Sequence, residues 1–324
     1  MTTLFLHENA YQRIKKDIQS MDADLNIVLM KSDSSLHDEN GLVEPGNIKP
    51  DVAWYSVDVL LSGLSEKYFE LVGRAGTVKW LQSFMAGLDL PIYKKLFRQG
   101  VRITRSNAQA IAIAEYVLAN VLALYQGAFK RRELQKAHEY RMTGFRELWH
   151  TTWLIVGLGN IGQEIARRVR AFEGEVIGVR RASASDPLAR EVISLERLPE
   201  FLPRADVVVL SCALNQQTEG LANRAFFSQM KENSTLVNIA RGKIVDQEDL
   251  IEALRAGRPT QAILDVFDPE PLDKESPLWD MDNVIITPHS SSAGNGTMPR
   301  GDRLFLDNLT RFLRGETLIN ETGF

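Results

Sequence analysis

The segment that most constrains this chain is Gly157-Leu158-Gly159-Asn160-Ile161-Gly162. It follows the apolar run Trp153-Leu154-Ile155-Val156 and opens a stretch, Gln163 to Phe172, that sets Ile165, Val169 and Phe172 on one helical face. A G-x-G-x-x-G framed by strand and helix is the turn that cradles a pyrophosphate. Gly157 permits the tight turn, Gly159 lets the backbone approach the phosphates, and Gly162 lets the helix pack closely on the strand. The helix start, at Asn160 and Ile161, offers unpaired N–H groups and the positive end of the helix dipole.

Around this turn the chain alternates strand and helix, which argues for a parallel sheet with helical crossovers. Six strands are expected in the second half: Thr152 to Val156, Glu175 to Val179, Val207 to Ser211, Thr235 to Ile239, Ala262 to Asp265 and Val284 to Thr287. Six is what an open, doubly wound dinucleotide-binding sheet requires. The first hundred residues alternate too. Leu4 to Leu6, Asn26 to Met30, Val52 to Tyr55 and Val78 to Gln82 read as strands; Tyr11 to Met21, Glu66 to Val72 and Pro91 to Arg98 read as helices. The tail, Arg303 to Arg314, reads as one more amphipathic helix. A chain of 324 residues suits two such domains better than one core.

Charge and composition remove other classes. The net charge of −4, with no basic block, leaves no footprint for nucleic acid. The single cysteine, Cys212, excludes an internal disulfide and fits a reducing compartment, so a cytoplasmic location is expected. No basic n-region opens the chain, so no secretory signal is expected. The most apolar stretch, Ala108 to Tyr125, carries Glu115 and Asn120 near its middle and is not a membrane span. It reads as a buried helix and, being apolar on nearly all sides, as a candidate subunit interface. No metal site is expected. His7, His37, His138 and His150 read as ordinary surface or core histidines.

The strand after the glycines indicates which dinucleotide. An NAD site of this kind ends that strand with a carboxylate on the ribose hydroxyls. Here Glu175 to Val179 ends in Arg180-Arg181, followed by Ala182-Ser183. A guanidinium suits a 2′-phosphate, and no carboxylate stands there to repel it, so NADP is expected, with NAD possible.

Three later segments carry charged groups: Val237 to Gly242 with Ala240 and Arg241, Leu264 to Leu272 with Asp265 and Glu270, and Ile286 to Ser290 with His289. Each lies at the carboxyl end of an expected strand, where ligands bind in open α/β sheets. An Arg, a Glu and a His on one edge supply an anion anchor, a carboxylate and a proton donor.

With these motifs in order, the sequence resembles the D-isomer-specific 2-hydroxyacid dehydrogenases. The glycine motif, N-I-A-R-G, D-V-F-x-x-E-P and T-P-H occur in that family's order and spacing, as does Ser211-Cys212-Ala213-Leu214 before Thr218, with Ala213 where the family usually has proline. The resemblance implies a hydride transfer between a nicotinamide cofactor and C2 of a small 2-oxo or 2-hydroxy acid. It implies that Arg241 holds the substrate carboxylate, that His289 is the general acid and base, and that Glu270 hydrogen-bonds the imidazole. Asp265, with Ala213, Thr218 and Ala240, falls to the cofactor. A glutamine stands at the position of Glu270 in the related formate dehydrogenases, so formate oxidation is not expected.

Physical chemistry supports the same roles. Hydride arriving at C2 leaves charge on oxygen, and a protonated histidine neutralises it in the same step. A carboxylate beside an imidazole favours its charged form. A guanidinium fork fixes the acid so that one face of C2 meets the nicotinamide.

The resemblance further implies a homodimer and two doubly wound parallel-sheet domains with a cleft between them. One is a flavodoxin-like substrate domain, residues 1–100 and 290–324; the other is a Rossmann coenzyme domain, residues 101–289. The substrate carboxylate would meet backbone N–H groups of Met85, Ala86 and Gly87, after the fourth strand. Trp54-Tyr55-Ser56 reads equally as a pocket wall or as core, and Ser290 to Gly296 as a flexible loop or as polar groups near the substrate. The alternative is a dinucleotide-sensing, corepressor-like scaffold on the same fold.

Overall fold

The structure is a computed structural model and describes residues 1–181 and 185–323. The chain divides into two compact units, residues 1–109 with 295–324 and residues 110–294.

The first unit is built on β1 (Thr2–His7), β2 (Leu25–Met30), β3 (Leu36–Asp38), β4 (Gly41–Leu42), β5 (Val52–Tyr55), β6 (Trp80–Ser83) and β7 (Arg102–Thr104). The parallel strands lie in the order β2-β1-β5-β6-β7, the flavodoxin-like winding. The β3–β4 hairpin extends one side antiparallel, and Glu321–Thr322 closes the other against β7. Every residue of β5 and β6 is buried, as strands covered on both faces must be. β7 is too short to read from periodicity, yet it completes this sheet, so residues 101–109 belong with the first unit rather than the second.

The tail helix, Thr297–Leu313, makes the unit discontinuous. It starts six residues before the expected Arg303, because Pro299 sits in the first turn, where its missing N–H costs nothing. Phe305 from this helix stacks on Trp54, centroids 4.2 Å apart. Trp54 is therefore core, and so is Tyr55, at 2% exposure. Arg13 ties the helix down: its Nε meets Asp302 at 2.7 Å and its Nη1 meets Asp58 at 2.8 Å.

The second unit holds β8 (Thr152–Val156), β9 (Glu175–Val179), β10 (Glu191–Ile193), β11 (Val207–Leu210), β12 (Thr235–Asn238), β13 (Gln261–Leu264) and β14 (Val284–Ile286). The sheet is wholly parallel in the order β10-β9-β8-β11-β12-β13-β14. The winding reverses beside β8, the topological switch point where such sheets bind ligands. Six of the seven strands were legible; the three-residue edge strand β10 was not. Side chains such as Leu154, Val208 and Ile263 are fully buried, each stabilising the unit by about 1.5–3 kcal/mol.

The apolar helix Ala110–Tyr125 covers one face of this sheet beside the helix Asn160–Ala171, burying Ile113, Val117, Leu118 and Val121. No single helix among the described residues is long and apolar enough to cross a membrane.

Candidate active site

The glycine turn forms as its sequence requires. Gly157 has φ +103°, and a Cβ on it would stand 2.5 Å from the Cys212 nitrogen. A Cβ on Gly162 would stand 2.4 Å from the Gly157 oxygen, whereas one on Gly159 would meet nothing within 4 Å. The middle glycine thus leaves open space beside a helix start, and Gly159, as N-cap, has no side chain to bond the first-turn N–H groups at Asn160 and Ile161. An uncapped helix start facing an open glycine fits a dinucleotide pyrophosphate.

The strand after the turn corrects one detail. β9 itself ends without a carboxylate, but Asp186, six residues after Arg180, reaches back to form an ion pair with that guanidinium. Asp186 also accepts from Gln163 Nε2 at 2.9 Å and from Leu188 N at 3.0 Å. Burial works against the ionised form, yet these donors and Arg180 outweigh it and hold the Asp186 pKa below the usual carboxylate range. Arg180 is therefore charge-compensated, and the exposed guanidinium of the pair is Arg181. Ala182 and Ser183 lie outside the described residues.

On the far side of the turn, Ser211 Oγ donates to the Gly157 oxygen at 2.9 Å. The Thr218 hydroxyl donates to Ala213 O at 2.7 Å and accepts from Asn215 N at 2.8 Å. Its observed work is to shape the loop that presents Ala213, rather than to reach outward. Cys212 is packed against the glycine turn, and burial pushes its thiol pKa up to about 11.

Sheet register then brings the charged segments to one edge. Asn238, Leu264 and Ile286 are paired across β12, β13 and β14. Arg241, Asp265 and Thr287 follow within three residues, so all leave the same carboxyl edge. Two residues without an assigned role hold the first segment. Asn238 is buried and donates its side-chain N–H to Arg241 O at 3.1 Å while accepting from Ala240 N at 3.1 Å. Gly242 lies so close to the next segment that a Cβ would stand 1.9 Å from the Phe267 carbonyl. Only glycine lets the Arg241 strand end press on the turn that carries Glu270. Arg241 Nη1 donates to Ala240 O at 2.7 Å.

Glu270 and His289 meet directly. His289 Nδ1 lies 3.0 Å from Glu270 Oε2, while Glu270 Oε1 accepts the Phe267 N–H at 2.9 Å. The carboxylate is thus fixed at one oxygen by backbone and at the other by imidazole. Both side chains are part-exposed, 38% and 51% respectively. With Nδ1 directed at a carboxylate, Nε2 is the nitrogen that faces outward to exchange a proton.

Asp265 behaves differently from the other acid. It is 1% exposed, and its carboxylate accepts Thr287 Oγ1 at 2.6 Å, Ser290 N at 2.8 Å and Ser291 N at 3.0 Å. Ser290 and Ser291 therefore begin an anchored turn rather than a loose loop. Within that turn His289 has φ +52°, a left-handed conformation that costs a non-glycine residue about 1–2 kcal/mol. The Asp265 bonds offset this cost.

In the first unit, the Met85 N–H is already taken by Ser83 Oγ at 3.1 Å, and Ser83 Oγ lies 2.8 Å from Tyr93 Oη. Met85 is thus withdrawn as a donor. Among the described residues no acceptor takes the N–H of Ala86 or Gly87. No group of residues that could hold a metal ion occurs among the described residues.

A switch-point glycine turn and a histidine–carboxylate pair on one sheet edge define a dinucleotide-dependent oxidoreductase. Residues 118–291, more than half the chain, match the family model "D-isomer specific 2-hydroxyacid dehydrogenase, NAD binding domain". A glyoxylate reductase of Pyrococcus furiosus is 33% identical over 284 residues, covering 82% of this chain and 83% of that protein. The human glyoxylate reductase/hydroxypyruvate reductase is 32% identical over 262 residues, covering 75% of this chain and 76% of that protein. Among solved structures, a D-isomer specific 2-hydroxyacid dehydrogenase of Xanthobacter autotrophicus, in complex with NADPH and MES, superposes with a TM-score of 0.78 at 25% identity. That match covers 99% of this chain and 98% of that one. The chain belongs to the D-isomer specific 2-hydroxyacid dehydrogenase family. Its activity class is that of an NAD(P)-dependent oxidoreductase of 2-hydroxy acids, and nothing in these relatives favours the corepressor-like alternative.

Proposed function

We propose that this protein reduces a small 2-oxo acid of the glyoxylate or hydroxypyruvate kind, using NADPH in preference to NADH. The observation that carries the reading is the His289–Glu270 pair at 3.0 Å, with Glu270 held in turn by the Phe267 N–H. The bound nicotinamide supplies the hydride to C2. His289 Nε2 donates a proton to the oxygen that gains charge, and Glu270 stabilises the imidazolium and keeps the ring oriented. In the reverse direction the same nitrogen removes the hydroxyl proton. Arg241 holds the substrate carboxylate as a guanidinium anchor.

For the cofactor, the uncapped start at Asn160–Ile161 receives the pyrophosphate and Arg181 the 2′-phosphate. Arg180 keeps its place in the pocket through Asp186. The NADPH complex of the Xanthobacter relative supports this choice. The first unit is read as the substrate domain and the second as the coenzyme domain. The thiol of Cys212, unpaired in any disulfide, suits a reducing cytoplasm.

We also propose that two copies pair as a homodimer. Support comes from residues 128–149, where five large apolar side chains, Phe129, Tyr140, Met142, Phe145 and Trp149, are each more than half exposed. Light scattering on the purified protein tests this; a single-chain mass at micromolar concentration would rule it out.

The central test is a panel of 2-oxo acids assayed with NADPH and with NADH. Turnover of glyoxylate or hydroxypyruvate, faster with NADPH, is the expected result. Oxidation of neither cofactor with any acid removes the proposal, and a clear NADH preference overturns the reading of Arg181.

A further inference from the structure

We infer that Tyr116, on the Ala110–Tyr125 helix, is a positioning residue for His289, acting through Thr287 and Asp265. The inference rests on the reading of His289 as the proton donor. Tyr116 Oη lies 2.7 Å from Thr287 Oγ1, which lies 2.6 Å from Asp265 Oδ1.

Donor counting sets the direction of this relay. A threonine hydroxyl has a single proton, and a carboxylate only accepts. Asp265 receives the N–H groups of Ser290 and Ser291, so it stands as an acceptor and the Thr287 proton points at Oδ1. Thr287 can then only accept from Tyr116, and the phenol must donate. Burial pushes that phenol's pKa up to about 12, which keeps the donated proton in place across the neutral range.

The relay ends on the carboxylate that holds the histidine turn. His289 N donates to the Asp265 carbonyl at 2.8 Å, and the next two N–H groups donate to the Asp265 side chain. Between them His289 keeps its left-handed φ of +52°. Three separate pieces of chain therefore fix one imbalanced backbone geometry: the end of β13, the turn after β14, and a helix 171 residues earlier in sequence than Thr287. Without the phenol proton, Thr287 Oγ1 lacks its donor and is free to turn away from Asp265. The turn then relaxes toward ordinary φ, and the imidazole leaves its place against Glu270. A tyrosine that only filled space would need no oxygen here.

Tyr116→Phe keeps the ring and removes the one oxygen. With an acid that the native enzyme reduces, kcat is expected to fall about three- to ten-fold, the size of one net hydrogen bond. Thr287→Val should lose at least as much kcat, and Thr287→Ser should recover most of that loss. Adding Tyr116→Phe to Thr287→Val should cost nothing further, because the two residues act as one unit.

A second readout needs no turnover. Amide hydrogen exchange over residues 286–293 of the ligand-free protein should be faster in Tyr116→Phe and Thr287→Val and near native in Thr287→Ser. A native kcat in Tyr116→Phe, additive losses in the double variant, or unchanged exchange each overturn the inference. If the native protein reduces no acid, the proposed function fails by itself, and exchange still decides whether Tyr116 holds the turn.

Discussion

The carboxyl edges of the two sheets treat charge in opposite ways. In the first unit Arg13 clamps Asp58 and Asp302, and the loop after β6 begins with the uncharged Phe84, Met85, Ala86 and Gly87. Burial pushes the Asp58 carboxyl up, but the Arg13 guanidinium more than offsets this and holds its pKa below the ordinary range. In the second unit Glu270 and His289 are left part-exposed, each oriented by one or two bonds, while Asp265 beside them is closed in by donors. Charge that holds a fold together is buried and matched. Charge that must meet a substrate is oriented but kept within reach of it.

The strongest way to break this contrast is His289→Asn, which preserves size but removes the imidazole acid. A fall in kcat of about 10²–10⁴-fold is expected, with NADPH binding by fluorescence titration near native. A variant that keeps its turnover would mean the reacting edge has been misplaced.

Next in size is Gly242→Ala, because the added methyl would stand 1.9 Å from the Phe267 carbonyl. Displacing that backbone should cost about 2–4 kcal/mol, read as a lowered denaturant midpoint. Gly63→Ala in the first unit makes the control: φ is +70° but nothing lies within 4 Å, and the cost should be nearer 1 kcal/mol. Equal losses would contradict the view that the second edge is the more tightly built.

Asp58→Asn should destabilise the protein by about 1.5–3 kcal/mol through the Arg13 clamp. It should leave the Glu270–His289 pair, and hence kcat, unaltered. The pH dependence has a definite sign. A folded pKa below the unfolded value of about 3.9 means this stability is complete above that pH and is lost as pH falls through the folded value. The native thermal midpoint should therefore drop more steeply than the variant's below about pH 4, and parallel curves would count against the clamp.

The smallest expected effect is that of Arg181→Ala. KM for NADPH should rise about five-fold while KM for NADH stays put, the signature of one exposed guanidinium on a 2′-phosphate. An equal rise with both cofactors would assign Arg181 to general electrostatics instead.

Much of the second unit could be read from the chain alone. Its strands are mostly short apolar runs, its turn carries three glycines of distinct purpose, and Arg241 and His289 sit within three residues of a strand end, with Glu270 on the turn after β13. Local periodicity and turn chemistry are written within ten residues, so sequence is enough to state them. β7 and β10 escaped because their three residues, Arg102–Thr104 and Glu191–Ile193, mix polar with apolar where β14 is wholly apolar, and Pro299 hid the true start of the tail helix.

What the tertiary structure alone decided are matches between groups far apart in the chain. Gly242 pressed on Phe267, and Tyr116 meeting Thr287 and through it Asp265, have no local signature. A sequence names the donors and acceptors, but which of them meet depends on register and packing. Those are settled only when the whole sheet is assembled, since a shift of one residue turns every side chain to the other face.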